Sequence, residues 1–258
     1  MEKTFNFEMK PKTSAFDRLR LLFEEQVTVL TIAENLWIFS KENFKEQMEQ
    51  MNFHAAFVIE DGKYFKYDSG DKDLSAVEEK DWMDLNTPLL TAFRMILLQR
   101  RYFIKNEEGE PAYIVTRTDL DKIAMRIGLF GLISLFETHM KDLIRKHISN
   151  WEDAISEKRL GQARSLYEWK KARKEEIDLV QCLQFGDLGT VFSKQQRFRV
   201  FFPDYSRDRW VDMLNALGKL RDALAHSQAH LGFSWEEIDE MIIFIRGIID
   251  REEISFNS

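Results

Sequence analysis

One ordering constrains this chain more than any other feature: helix, strand, turn and strand occur twice in succession before residue 118. In the first copy, residues 39–51 read as a helix, with Phe44, Met48 and Met51 at three- and four-residue spacing. Ala55-Ala-Phe-Val-Ile59 reads as a buried strand, Glu60-Asp61-Gly62-Lys63 as a hairpin turn with the Asp-Gly signal, and residues 64–67 as the return strand. In the second copy Thr87-Pro88 opens a helix, with Pro88 at the first position, where its missing N–H costs nothing. Leu89, Leu90, Phe93, Ile96 and Leu97 form its apolar face. Residues 102–104 and 112–115 are the two strands, joined by a polar turn centred on Gly109, and the charged stretch 69–81 reads as a loop between the copies.

After residue 118 the pattern becomes nearly all helical. Thr118 and Asp121 make a capping-box pair, and the helix they start runs without a breaker to about residue 148. Its middle is apolar almost all round, as suits the centre of a bundle. Further helices are expected at 160–176, 179–193, 207–228 and 235–251. Gly186 and Gly189, Pro203-Asp204, and Gly232 with Ser234 as a cap read as the breaks. The expected class is therefore α+β, an α/β repeat over residues 1–118 followed by an all-α bundle over 119–258.

Composition narrows the function. Six Trp and 21 Phe are too many for a disordered chain. The single Cys182 excludes an intramolecular disulfide and a cysteine-rich zinc site. The longest apolar run, 127–136, is about half of a bilayer span, and the charged N-terminus lacks an export signal, so a soluble, cytoplasmic protein with no membrane partner is expected. The net charge of −7 argues against a general nucleic-acid coat. It hides a contrast, however: residues 158–221 carry 14 basic against 8 acidic side chains, and residues 222–258 carry 2 against 8. A local, selective RNA site remains open. Walker, dinucleotide-binding, Gly-x-Ser-x-Gly and His-Glu-x-x-His motifs are absent from the sequence.

The repeated unit, with its second copy ending Tyr113-Ile-Val-Thr-Arg-Thr-Asp-Leu120, resembles a CBS-domain pair. In that family the second strand ends in hydrophobic residues, then Ser or Thr, two variable positions and Asp; Thr116 and Asp119 fill those places. The resemblance implies an adenine nucleotide, AMP or ATP, in the cleft between the copies. A hydroxyl at a strand end suits a phosphate or ribose, and a carboxylate in the first helical turn suits both ribose hydroxyls. The first copy ends Tyr64-Phe-Lys-Tyr-Asp-Ser-Gly-Asp71, without the Thr, so one nucleotide site is expected. The plainer alternative is that Thr116 ends a strand, Thr118 caps a helix and Asp119 complements its dipole.

The second half resembles a HEPN domain, an all-α bundle often acting as a metal-independent ribonuclease. Leu220-Arg221-Asp222-Ala-Leu-Ala-His226-Ser227 carries the Arg-x4-His motif, and Leu135-Phe-Glu137-Thr-His139-Met-Lys141-Asp-Leu-Ile-Arg145 resembles the helix that precedes it in that family. The resemblance implies a homodimer with both motifs facing one cleft, RNA as substrate, and no metal. RNA supplies its own 2′-OH nucleophile; His226 would move protons, and Arg221 would hold the phosphate and its developing charge. Asp222, one turn before His226, would fix the imidazole tautomer. Glu137 is expected as a partner of Arg221. Arg221 and His226 lie about 140° apart on a regular helix and converge better if the helix frays near His226. Solvated helix-face pairs are the plainer alternative for Arg221, Asp222 and His226. The function so implied is a nucleotide-regulated RNA-binding protein or endoribonuclease. A non-enzymatic regulatory or scaffold dimer, binding an adenine nucleotide or a protein partner, is the other class.

Overall fold

A computed structural model describes residues 14–251 and shows a mixed α+β chain with two four-stranded sheets followed by a helical C-terminal part. By contacts it divides into two compact units, Leu22–Arg126, and Ile127 onward together with the chain up to Leu21. The expected boundary at residue 118 falls in a 3-10 turn, Arg117–Asp121, that lies in the first of these units.

The chain begins with α1 (Ala15–Leu21). The unit from Leu22 then runs β1 (Glu34–Asn35), β2 (Ile38–Phe39), α2 (Phe44–Met51), β3 (Ala55–Glu60) and β4 (Lys63–Asp68). It repeats that order as β5 (Ser75–Ala76), β6 (Trp82–Met83), α3 (Leu89–Leu98), β7 (Arg101–Lys105) and β8 (Pro111–Thr116). In each copy a short strand runs parallel to the first long strand, which pairs antiparallel with the second. The sheet orders are β2-β3-β4-β5 and β1-β8-β7-β6. Each sheet is thus completed by the short strand that opens the other copy, which interlocks the repeats.

The Asp-Gly hairpin forms as its residues dictate: Asp61 and Gly62 have φ of 48° and 73°, the pair of positive values a type I′ turn needs. Other local expectations shift. Phe39 belongs to β2, because Ile38 and Phe39 pair with Phe57 and Val58, so the first helix starts at Phe44. Pro88 sits one residue earlier than expected, as the cap of α3. The expected loop 69–81 contains β5 and a 3-10 turn, Glu79–Asp81. The capping box forms at Thr116 and Asp119 instead of Thr118 and Asp121. There the Asp119 carboxylate satisfies the backbone N–H at the strand end three residues earlier.

The helical unit comprises α4 (Ile123–His147, which begins in the preceding unit), α5 (Glu157–Ala172), α6 (Phe185–Ser193), α7 (Phe198–Phe201), α8 (Arg207–Ala225) and α9 (Trp235–Ile249). Among the described residues α4 is the one helix long and apolar enough to cross a membrane by length and composition; 56% of that stretch is buried inside the protein. Trp210 on α8 is fully buried and meets the rings of Phe192, Phe198, Phe202 and Phe244 at centroid distances of 4.1–5.9 Å.

Gly186 and Gly189 do not break the chain here; both lie inside α6. A Cβ on Gly189 would stand 3.2 Å from Leu214 Cβ, and one on Gly186 3.1 Å from Asn215 Oδ1, so the glycines let α6 approach α8. The break falls earlier, where Gln184 and Asp187 form a capping box. Ser234 caps α9 as expected, paired with Glu237.

Candidate functional site

The first candidate site is a cleft of about 740 Å³ within the 22–126 unit, inside the range typical of small-molecule pockets. Residues of both sheets line it: Trp37, Phe39 and His54 from one copy, Arg101, Ile114 and Thr116 from the other. Thr116 and Asp119 both reach it, so the structure brings the two residues singled out by sequence to one cavity.

They are also each other's partners. Asp119 Oδ2 accepts from the Thr116 backbone N–H at 2.7 Å and from its hydroxyl at 2.8 Å. Oδ1 takes the Lys122 ammonium at 2.8 Å, which leaves that oxygen spare acceptor capacity. Burial works to lower the Lys122 pKa, but the carboxylates of Asp119 and Glu34 outweigh it and hold the ammonium above its ordinary value. The plainer reading of Thr116 and Asp119 as a capping pair therefore describes their geometry well, and it coexists with their position at the cavity wall.

Sequence reasoning missed the strongest features of this cleft. Arg101 is 7% exposed, pairs with Asp68, and has an Nε with no acceptor. A buried N–H left unmet is costly to the fold. Trp37 is 57% exposed at the cleft, with Phe53 edge-on to it. Arg100 and Arg117 add cations to the lining. An aromatic face with arginines in the lining could take a ring-bearing phosphate compound, although Glu34, Asp68 and Asp119 line the same cleft. The available signal was the position of Arg101 at the start of an apolar strand, Tyr102-Phe-Ile104, whose residues are all buried.

The second candidate site lies at the end of α8. Arg221 donates to Glu137 Oε2 on α4 at 2.8 Å and to Asp222 Oδ1 at 2.8 and 3.2 Å, with its guanidinium 5.5 Å from the Phe185 ring centre. Burial works to lower its pKa, and the Asp222 and Glu137 carboxylates overcome that and raise it. Glu137 also accepts from Lys141 at 2.7 Å. The contact of Glu137 with Arg221 is the one expected from sequence.

Asp222 faces Arg221, where it was expected on His226. The helix ends at Ala225; His226 is its exposed cap, with φ of −94° and ψ of 9°, and Ser227 takes a left-handed φ of 49°. The chain thus leaves the helix after His226, whose N–H still bonds Asp222 O at 3.0 Å. Among the described residues the His226 imidazole makes no hydrogen bond or ion pair. Arg197 and Phe201 stack at 5.3 Å, while Phe198 and Phe202 pack in the bundle. Cys182 is buried, and burial pushes its thiol pKa up, which suits a packed residue and not a nucleophile. Among the described residues no group of three or more His, Cys, Asp and Glu side chains is placed to hold a metal ion.

Compared with known proteins, the chain matches no family model and no curated protein.

Proposed function

We propose that this protein is a nucleotide-regulated RNA-binding protein or metal-independent endoribonuclease. On this reading the 22–126 unit is a CBS-like pair that binds AMP or ATP, and the helical unit is HEPN-like and works as a homodimer. The observation that carries the reading is the cleft of about 740 Å³ that gathers Thr116, Asp119, Trp37 and Arg101 from both copies of the repeat. In the helical unit, the support is an exposed His226 at the end of the helix that carries Arg221, itself fixed by Glu137.

The chemistry would run without a bound group. The imidazole of His226 takes the 2′-OH proton, the 2′-oxygen attacks the adjacent phosphorus, and the 5′-oxygen leaves with a proton returned from an imidazolium. Arg221 would stabilise the negative charge on the phosphoryl oxygens. A partner copy would supply the second His226 or Arg221. Nucleotide occupancy would act on this site through α4, which begins in one unit and continues in the other.

A second reading has its own observation. Arg221 already serves two carboxylates, Glu137 and Asp222, which suits a structural guanidinium in a non-enzymatic regulatory or scaffold dimer. Purified protein incubated with mixed single-stranded RNA separates the two. Cleavage with 2′,3′-cyclic phosphate ends, lost in His226→Ala, supports the enzyme; no cleavage, or cleavage equal in the variant, supports the scaffold. Calorimetry with AMP and ATP tests the cleft, and absence of heat with both removes the nucleotide.

A further inference from the structure

The register of the two sheets aligns the repeats residue by residue. Phe57 and Phe103 hold the same position, one beside Ile38 and the other beside Trp82, and their rings meet at 4.7 Å. Counting along the paired strands from these two, Lys66 corresponds to Ile114 and Asp68 to Thr116. The hydrogen bonds confirm the alignment. The Asp68 N–H donates to Asp71 Oδ2 at 2.9 Å, as the Thr116 N–H does to Asp119 Oδ2 at 2.7 Å. Stepping back one residue from Ile38 and Trp82 pairs Trp37 with Asp81.

A repeat of this kind generates two equivalent clefts, and the sequence treats them oppositely. At the first, the connection from β1 to β2 is only Leu36-Trp37, and Trp37 and Ile114 line open space. At the second, the connection from β5 to β6 is longer and carries the 3-10 turn Glu79–Asp81. From it Asp81 reaches Lys66 at 2.5 Å, with side chains 7% and 16% exposed. The Gln99 amide ties that turn down, donating to Lys80 O at 3.3 Å and to Arg101 O at 3.0 Å. Lys66 and Asp81 therefore fill the positions that Ile114 and Trp37 leave open, and their charges cancel. The open cleft is lined by the cations Arg100, Arg101 and Arg117 and by the carboxylates Glu34, Asp68 and Asp119, three of each, and Lys122 pairs with Glu34 and Asp119.

We infer that the repeat builds two clefts and keeps one, which takes a single anionic, ring-bearing ligand stacked on Trp37, while the Lys66–Asp81 ion pair closes the other. The class of ligand rests on the nucleotide reading above; the closure does not.

Calorimetric titration of the full chain with AMP and with ATP tests the inference. The expected result is one equivalent per chain, weakened about tenfold or more by Trp37→Ala, the loss of one aromatic–base stack. The same titration of Lys66→Met/Asp81→Asn is expected to give unchanged affinity. Two equivalents in the unaltered protein, an unaffected Trp37→Ala, or a loss of affinity in the double variant overturns it. Amine-reactive footprinting judges the closure even if neither nucleotide binds, in which case the nucleotide reading alone falls. Lys66 should then be modified about tenfold more slowly than the exposed Lys63, and faster in Asp81→Asn. Equal rates for the two lysines overturn the closure.

Discussion

The two candidate sites dispose of their charged groups in opposite ways. At the cleft, Arg101 is buried with one nitrogen unmet and an aromatic face, Trp37, stands exposed beside it. At the end of α8, Arg221 is held by Glu137 and Asp222, and the imidazole of the exposed His226 makes no hydrogen bond or ion pair among the described residues. A group whose hydrogen bonds are all met inside the protein has less to give a ligand than one left short. The cleft therefore leaves a buried donor short and an aromatic ring exposed within one unit, whereas at the α8 site Arg221 is paired with two carboxylates.

The largest expected effect contrasts the two environments through tryptophan. Trp210 is enclosed by four Phe rings, so Trp210→Ala should cost about 3–5 kcal/mol in urea unfolding. Trp37→Ala, at an exposed ring, should stay within about 0.5 kcal/mol. A large loss for Trp37→Ala would make that ring a packing residue and dissolve the contrast.

Next in size is the Glu137 carboxylate, which accepts from both Arg221 and Lys141 with 14% of its side chain exposed. Glu137→Gln removes the charge that both cations face, and a loss of about 1–3 kcal/mol is expected in thermal or urea unfolding. A loss below about 0.5 kcal/mol would mean that Arg221 is not committed to the fold.

Much of the architecture was legible in the sequence because it depends on local signals. The Asp61-Gly62 turn, the two apolar strand pairs and the Ser234 cap each rest on residues within a few positions. What was missed depends on tertiary contact. Gly186 and Gly189 read as breakers because glycine disfavours a helix; only the approach of Leu214 and Asn215 from α8 explains them inside one. The short strands β1, β2, β5 and β6 have two residues each, too few for any alternation to register. At the sites, Thr116, Asp119 and Arg221 were singled out by resemblance to family motifs, and Glu137 as a polar residue on an apolar helix. Arg101, Trp37 and the Lys66–Asp81 pair were not, since each gains its meaning from the partner copy of the repeat.

A smaller effect follows pH. Asp178 caps a 3-10 turn in the helical unit and accepts two hydrogen bonds from Arg145, one of them at 3.0 Å. The Arg145 hydrogen bond, set against burial, holds its carboxyl below the ordinary 3.8. A depressed carboxylate stabilises the fold above its unfolded value and loses that contribution as pH falls through the folded one. Stability should therefore decline below about pH 4 in the native protein, and Asp178→Asn should flatten that decline by a few tenths of a kcal/mol. An unchanged acid limb in the variant would show that the half-exposed pair contributes nothing.

The smallest expected effect on stability carries the most weight for function. His226 caps α8 through its backbone: its N–H donates to Asp222 O at 3.0 Å, and alanine keeps that bond. Its side chain is exposed and makes no hydrogen bond or ion pair among the described residues, so His226→Ala should change unfolding free energy by less than about 0.5 kcal/mol. Stability and activity then separate cleanly. Lost RNA cleavage in a variant that melts like the unaltered protein assigns His226 to chemistry, because no structural role remains to explain the loss. A melting loss above about 1 kcal/mol would make His226 part of the fold, and the α8 site would then be structural throughout, since Arg221 and Asp222 already bond each other.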